Sequence, residues 1–379
     1  QDLGKDKGVP QVYYLHNSMP TSNGFQAIGY DLNVVALPEA TDFDKPFTLT
    51  NLNLNRAVFV PANGKNYILE APGNGWMSVS PFDPGVITSD TLVTTATVQR
   101  QTYIYFEKIG LYIYDEPSNT LVVQTMLGLD PADILGVCAA NGYLIAFDET
   151  SIAWSSQINP LDFVPSLVTG AGGGSVEDAK GAIIACLPIA NGFVIYCEKN
   201  AVAAKYTGNN NFPYNIIEIP NSGGVTVPER ISWQGNSDTH FVWSDQGFQT
   251  VSLIGGSANV FPEITEFLAG RIYEDFDETT LTWNVEYLTA QLDIKISVIS
   301  DQYLVVSYGI LGASPRFTYA IVYDLNRLRW GKLKIGHVAS FQWNTPGNNT
   351  DLTYAALEPN PYTFYIDTTY AELATYGSG

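Results

Sequence analysis

The 379-residue chain is 45% hydrophobic and carries 18 Lys and Arg against 38 Asp and Glu, a formal net charge of −20. That hydrophobic share builds a packed core and excludes wholesale disorder, while the acidic balance argues against a nucleic-acid grip and equally against a surface that binds anionic lipid. Charged residues make up only 15%, against about 25% in a typical globular chain, so neutral polar and aromatic side chains cover the surface or partners bury part of it.

Gln1 to Asp6 show neither an initiator Met nor a signal-peptide pattern, so residue 1 reads as a processed end or a start inside a longer product. Residues 1–22 and 37–54 are polar and rich in Pro, Asn and Thr, and read as arms over the surface; between them Gly24 to Ala36 reads as strand. From there the period is two almost throughout. Val58 to Val60, Tyr103 to Phe106, Leu111 to Tyr114, Tyr143 to Phe147, Phe193 to Tyr196 and Tyr303 to Val306 are short β-branched and aromatic runs. Asn, Gly, Asp or Pro bound each of them, which is the strand signature. Asn-Gly at 63–64, 74–75, 141–142 and 191–192 signals hairpin turns. Gly170 to Ser175 lacks the Gly-Lys-Ser/Thr and the βαβ setting of a phosphate loop, and reads as a flexible connection. The spacing predicts a helix only over Glu263 to Phe276, with Pro262 at its start and apolar Ile264, Phe267, Leu268 and Ile272. No run of about 18 uncharged apolar residues occurs, so no transmembrane helix is expected.

Self-similarity sets the fold class. Ala140-Asn141-Gly142-Tyr143 to Glu149 matches Ala190-Asn191-Gly192-Phe193 to Lys199: a hairpin turn, an aromatic, an apolar run, then an acid and a second turn. Ser237 to Gly247 repeats the phrase, and weaker copies begin near Arg56, Thr102, Gln302 and Leu352. An all-strand unit of this length is a four-stranded antiparallel blade, so the expectation is an all-β propeller of six or seven blades. Two β-sandwiches would also have short strands, but they do not predict the recurring phrase. A ring must close its edges, so the N-terminal strand is expected to complete the incomplete unit of the tail, Leu352 to Tyr370. The organisation is then an arm and closing strand over 1–54, blades over 55–335, and a last partial blade over 336–379.

The chemistry is sparse. Cys138, Cys186 and Cys197 form no CxxC pair. A turn at Asn191-Gly192 would set Cys186 opposite Cys197, with Pro188 demanding a bulge, yet free thiols are the expectation. His16, His240 and His337 stand apart from any second His or Cys at metal spacing, so they read as strand or loop residues, whose replacement by Ala leaves assembly intact. No G-x-S-x-G elbow occurs, and Ser244-Asp245-Gln246-Gly247 misses a sialidase Asp-box by one place. No catalytic, cofactor-binding or metal residues are assigned, and no enzyme or cofactor is expected. Two charged regions remain. Glu263, Glu266, Glu274, Asp275, Asp277 and Glu278 form an acidic stretch, a candidate channel-facing surface that repels DNA. Arg327, Arg329, Lys332 and Lys334 form a basic one, with alternate spacing that puts each pair on one strand face; it is a candidate subunit interface or a solvated edge.

Three phrases go together: Ile152-Ala153-Trp154-Ser155-Ser156 with Asn159-Pro160-Leu161-Asp162-Phe163; Glu263 to Leu268 with Ile272 to Asp277; and Tyr319 to Leu325 with Arg329-Trp330-Gly331. In this order, over roughly residues 100–340, they resemble the propeller domain of tail hub or nozzle proteins of short-tailed bacteriophages, which include packaged-DNA-stabilising tail factors. The resemblance implies a structural virion protein, a tail subunit in a ring of identical copies that meets other tail or portal-connector proteins. Genome DNA passes through its channel during ejection without specific binding. It implies no membrane partner, location in the virion tail, and the host cytoplasm during assembly. No catalytic residues carry over. The alternative is a carbohydrate-binding or glycoside-cleaving propeller.

Overall fold

The computed structural model describes residues 18–21, 24–27, 33–36, 47–50, 56–62, 65–69, 77–79, 91–115, 117–233, 238–269, 272–277, 282–287, 292–299, 302–312, 316–337, 339–344, 352–357 and 363–366. The hairpin β1 (Ser18–Thr21) and β2 (Gly24–Ala27) comes first, followed by β3 (Asn33–Ala36). β4 (Phe47–Thr50), β5 (Arg56–Ala62), β6 (Lys65–Leu69) and β7 (Met77–Val79) make a four-stranded antiparallel sheet in chain order. Blade one holds β8 (Val93–Val98), β9 (Gln101–Phe106), β10 (Gly110–Asp115) and β11 (Thr120–Gln124). Blade two holds β12 (Gly136–Ala140), β13 (Tyr143–Phe147), β14 (Ser151–Trp154) and β15 (Gly172–Ser175). Blade three holds β16 (Ile183–Ile189), β17 (Gly192–Cys197), β18 (Ala201–Tyr206) and β19 (Tyr214–Glu218). Blade four holds β20 (Ile231–Trp233), β21 (His240–Ser244), β22 (Gly247–Ser252) and β23 (Gly256–Asn259). The helix α1 (Pro262–Ala269) and the hairpin of β24 (Ile272–Asp277) and β25 (Thr282–Tyr287) separate it from blade five. Blade five holds β26 (Leu292–Ile299), β27 (Tyr303–Ile310), β28 (Phe317–Asp324) and β29 (Arg329–His337). Last come β30 (Ala339–Asn344), β31 (Leu352–Leu357) and β32 (Thr363–Ile366), and β3 pairs antiparallel with β32 in the same sheet.

The molecule is thus an all-β propeller of four-stranded antiparallel blades. Five blades run consecutively from Val93 to His337, fewer than the six or seven that the repeats predict. The difference has an identifiable origin. The repeated phrase marks the second strand of a sheet, as at β9, β13, β17, β21 and β27, but it also falls on β5 and β31, whose sheets lie outside this run. A second strand has sheet neighbours at both edges and another blade over each face, so it is apolar without alternation. Every side chain of β13 and β17 is buried accordingly.

Packing occurs between blades, and each interface has its own apolar cluster. Tyr105, Met126, Val137 and Phe163 join blades one and two; Tyr143, Ile195, Val202 and Tyr214 join two and three. Val194, Ala203, Val242 and Leu253 join three and four; Phe248, Ile264, Leu268 and Ile296 join four and five through α1.

Several local expectations change. Asn141 and Gly142 form the anticipated two-residue turn, both with positive φ, between paired Ala140 and Tyr143. At Asn191-Gly192 the turn is Ala190-Asn191, because Gly192 already pairs within β17. A Cβ on Gly192 would lie 2.1 Å from the Ala204 carbonyl oxygen, so this glycine serves close strand approach instead of the turn. The register moves with it: Cys186 faces Ile195, not Cys197, and the bulge lies between Ile183 and Ala185, while Pro188 pairs with Phe193. All three cysteines are free and buried. The glycine run is the outer strand β15, where a Cβ on Gly173 would lie 2.6 Å from the Ile152 carbonyl oxygen. The predicted helix stops at Ala269 and its second half is β24. Phe47–Thr50, inside the presumed 37–54 arm, is strand β4 paired to β5. The Asn-Gly pairs at 63–64 and 74–75 lie outside the described residues.

Candidate functional site

The acidic candidates divide between two elements. α1 turns Ile264 and Leu268, four residues apart, into the cluster between blades four and five and leaves Glu266 exposed. Thr265 secures the helix by accepting the Phe248 N–H at 3.0 Å on its hydroxyl. Glu263 lies on the same helix; Glu274, Asp275 and Asp277 lie along β24, with Glu274 and Asp275 opposite Val285 and Asn284. Glu278 lies outside the described residues. The sequence-based picture of one acidic surface around one helix is therefore corrected to a helix followed by a strand.

The basic candidates are also separated. Arg327 is not on a strand but in the turn between β28 and β29, where its Nη1 donates to Asp324 Oδ2 at 2.8 Å. Asp324 is fully buried; its Oδ1 accepts the N–H groups of Asn326 and Arg327, and its Oδ2 also accepts from the Gln302 amide. Burial works against the Asp324 charge, but these hydrogen bonds prevail and hold its pKa below the ordinary value. Arg329 begins β29 as an exposed side chain. Lys332 places its ammonium 4.6 Å from the Tyr319 ring centre and 5.3 Å from that of Phe267, a cation–π contact within the fold. Lys334 pairs in register with Tyr319. The hairpin strand β1 lies along β29, so this edge has a cover from the chain's own N-terminal region.

Sequence reasoning missed two polar constellations that join blades. In the first, Arg316 donates from Nε to Asp293 Oδ2 at 2.5 Å and from Nη1 to Glu229 Oε1 at 3.1 Å, and its Nη2 reaches the remaining oxygen of each carboxylate. Burial opposes the Arg316 charge; the hydrogen bonds to Glu229 and Asp293 outweigh it and raise its pKa. Lys295 Nζ lies 4.0 Å from Glu229 Oε1. Glu229 precedes β20, Asp293 lies on β26 and Arg316 leads into β28, so the cluster ties blade four to blade five. All four carboxylate oxygens accept from one guanidinium, which locks the pair as a structural bridge, not as a general acid and base.

In the second, His240 is fully buried on β21. Its Nδ1 is 2.8 Å from the Tyr196 hydroxyl and its Nε2 is 2.9 Å from the Pro188 carbonyl oxygen. The neutral ring satisfies both contacts: Tyr196 donates to Nδ1, and Nε2–H donates to the carbonyl. Burial pushes the His240 pKa down to about 4, against a smaller upward effect from the Pro188 hydrogen bond. His240 is thus a structural clasp between blades three and four, with both ring nitrogens engaged. Its signal in the sequence was weak, because only its strand neighbours were legible. His16 lies outside the described residues, and His337 ends β29. Among the described residues no group of three His, Cys, Asp or Glu side chains is placed to hold a metal ion, and none of the helices is long and apolar enough to cross a membrane.

The phrases that carried the family resemblance are packing devices. Ser156 N–H donates to the Asp162 carbonyl, and Asn159 Oδ1 accepts the Leu161 N–H. Leu127 and the Leu161–Phe163 segment exchange backbone hydrogen bonds of 2.8 and 2.9 Å, which straps blade two to the chain leaving blade one, and Phe163 is buried beneath. In blade five, Trp330 packs on Tyr323 with ring centres 4.1 Å apart.

Comparison with known proteins bears on the fold. No protein-family model matches the chain, and no curated protein matches it. Among solved structures, the extracellular domain of BT4673 from B. thetaiotaomicron aligns with a TM-score of 0.56 at 8% identity. That alignment covers 96% of this chain and 47% of the other, so the chain spans about half the length of that relative. The WD40 β-propeller domain of Doa1 aligns with a TM-score of 0.50 at 9% identity, over 92% of this chain and all of that one. At such identities the likeness is one of fold.

Proposed function

We propose that the chain is a non-enzymatic structural subunit of a bacteriophage tail hub or nozzle, assembled as a ring of identical copies around the genome-delivery channel. The observation that carries this reading is the use of the shared phrases. Trp154 to Phe163 and Tyr323 to Gly331 spend their polar atoms on turns and straps between strands and blades, which suits a part that must hold its shape under load. The finer ring count belongs to the same proposal. The sheets β4–β7 and β30–β31–β32–β3 are its sixth and seventh blades; in support, β30 lies against both β26 and β4, and β4 lies against β9. The pairing of β3 with β32 then removes an open edge. The virion tail is the proposed location, with the host cytoplasm during assembly.

Electron microscopy of the purified chain, with a glycan-binding and hydrolysis screen, tests the reading. A ring with negligible glycan affinity is expected; a monomer with saturable glycan binding would replace it with the carbohydrate-directed alternative. For the acids, Gln or Asn at Glu263, Glu266, Glu274, Asp275, Asp277 and Glu278 slows genome ejection at low salt if they border the channel. Unchanged ejection by intact rings at low and high salt would remove the channel role.

A further inference from the structure

The first strands of neighbouring blades lie side by side, β8 with β12, β12 with β16, β16 with β20 and β20 with β26, so they form the inner circle of the propeller. Where the chain enters blades four and five, this circle carries a charged cluster. Glu229 and Arg230 belong to the single 3₁₀ turn Pro228–Arg230, which leads into β20 and packs against β26. Asp293 and Lys295 stand near the start of β26, two residues apart and so on one face of it, and Arg316 precedes β28. Three cations against two carboxylates leave this cluster a formal charge of +1, in a chain whose net charge is −20.

Arg316 takes both carboxylates for itself, since each oxygen of Glu229 and Asp293 accepts from its guanidinium. Arg230 is left over. Its Nε is buried without a hydrogen-bond partner among the described residues, although a guanidinium is made almost wholly of donors. Burial lowers the Arg230 pKa and the Asp293 charge raises it by less, so the cation is only partly compensated where it stands. Folded proteins rarely keep a buried N–H without an acceptor, and an acceptor that the chain does not supply has to come from outside it. The cluster is open on one side to receive one: the side chains of Lys295, Glu229 and Arg316 keep 14%, 17% and 21% of their exposure.

We infer that Arg230, with the charge of Lys295 in support, binds the carboxylate group of a small molecule at this inner end of blades four and five. The ligand class follows from charge and shape. A residual charge of +1 is neutralised by one monoanion, whereas a phosphate or sulfate dianion would leave excess negative charge beside Glu229 and Asp293. The planar fork of a guanidinium matches the two oxygens of a carboxylate, which favours that group over chloride. The small exposed fraction of these side chains admits a compact ligand more readily than a protein surface. Arg316 acquires a second role in this arrangement: by holding both carboxylates it keeps the Arg230 donors available. The site lies within one chain, so the inference goes beyond the ring reading and does not depend on it.

The test titrates isotope-labelled acetate into the full chain at constant ionic strength, with chloride as the exchanged anion, and follows the acetate signal by NMR. Saturable binding in roughly the millimolar range is expected, with inorganic phosphate binding more weakly. Arg230→Met should weaken acetate binding by about tenfold or more. Arg230→Lys keeps the charge but loses the fork, and should weaken it by about threefold or more; this variant decides the matter if Arg230→Met misfolds. A wild-type chain that shows no saturable acetate binding would overturn the site. So would acetate binding that the folded Arg230 variants leave unchanged. Phosphate binding tighter than acetate would overturn the assignment to a carboxylate.

Discussion

Protonating His240 should loosen the join between blades three and four. The ring is neutral in the fold, where it accepts from Tyr196 and donates to the Pro188 carbonyl. Its pKa falls from 6.5 in the free side chain to about 4 in the fold. Between those values the unfolded chain binds a proton that the folded chain refuses. The stability contributed is therefore complete above pH 6.5 and is lost progressively as the pH falls towards 4, with no further loss from this group below that. At about 1.4 kcal/mol per pKa unit, the shift amounts to roughly 3 kcal/mol, an order-of-magnitude figure. Urea unfolding at half-unit steps from pH 7.5 to 4.5 measures it, with His240→Gln as the reference that lacks the titration but shares every other group. The wild-type advantage over the variant should shrink across this range. Parallel stability curves for the two proteins would refute the account, because they would mean that His240 takes its proton equally well folded and unfolded.

The strap and the thiols give two further tests. Phe163→Ala removes a ring that is 2% exposed and should cost about 3–5 kcal/mol, read as a lowered denaturation midpoint; a loss below about 1 kcal/mol would show that the 159–163 strap is dispensable. Cys138, Cys186 and Cys197 are buried, and burial raises all three pKa values, that of Cys197 to about 12. A thiol reagent at pH 8 should therefore modify none of them rapidly in the native protein and all three in denaturant, without prior reduction; fewer than three reactive thiols in denaturant would restore a disulfide.

Much of the architecture was legible in the sequence because its strongest signal is local. A strand covered on both faces must be apolar at consecutive positions, and its turn must accept positive φ. Tyr143–Phe147 after Asn141-Gly142 therefore announced both a strand and the repeat to which it belongs. The order of the strands, the blade class and the antiparallel partnering follow from that periodicity. What the sequence could not decide is how one local phrase is spent in its surroundings. Asn191-Gly192 has the same letters as Asn141-Gly142, but the nearby carbonyl of Ala204 requires Gly192 within the strand, and the register moves Cys186 away from Cys197. Glu263 to Phe276 has one helical pattern, yet only Pro262–Ala269 folds as helix, over the cluster of Ile296 and Phe248, and Ile272–Asp277 pairs as strand β24 with β25. The joints between blades were the least visible. His240 meets Tyr196 and Pro188 across 44 and 52 residues, and Arg316 meets Glu229 across 87. Residues so far apart show no spacing rule, because a polar contact between blades is set by the ring that brings them together, and only the tertiary structure contains that ring.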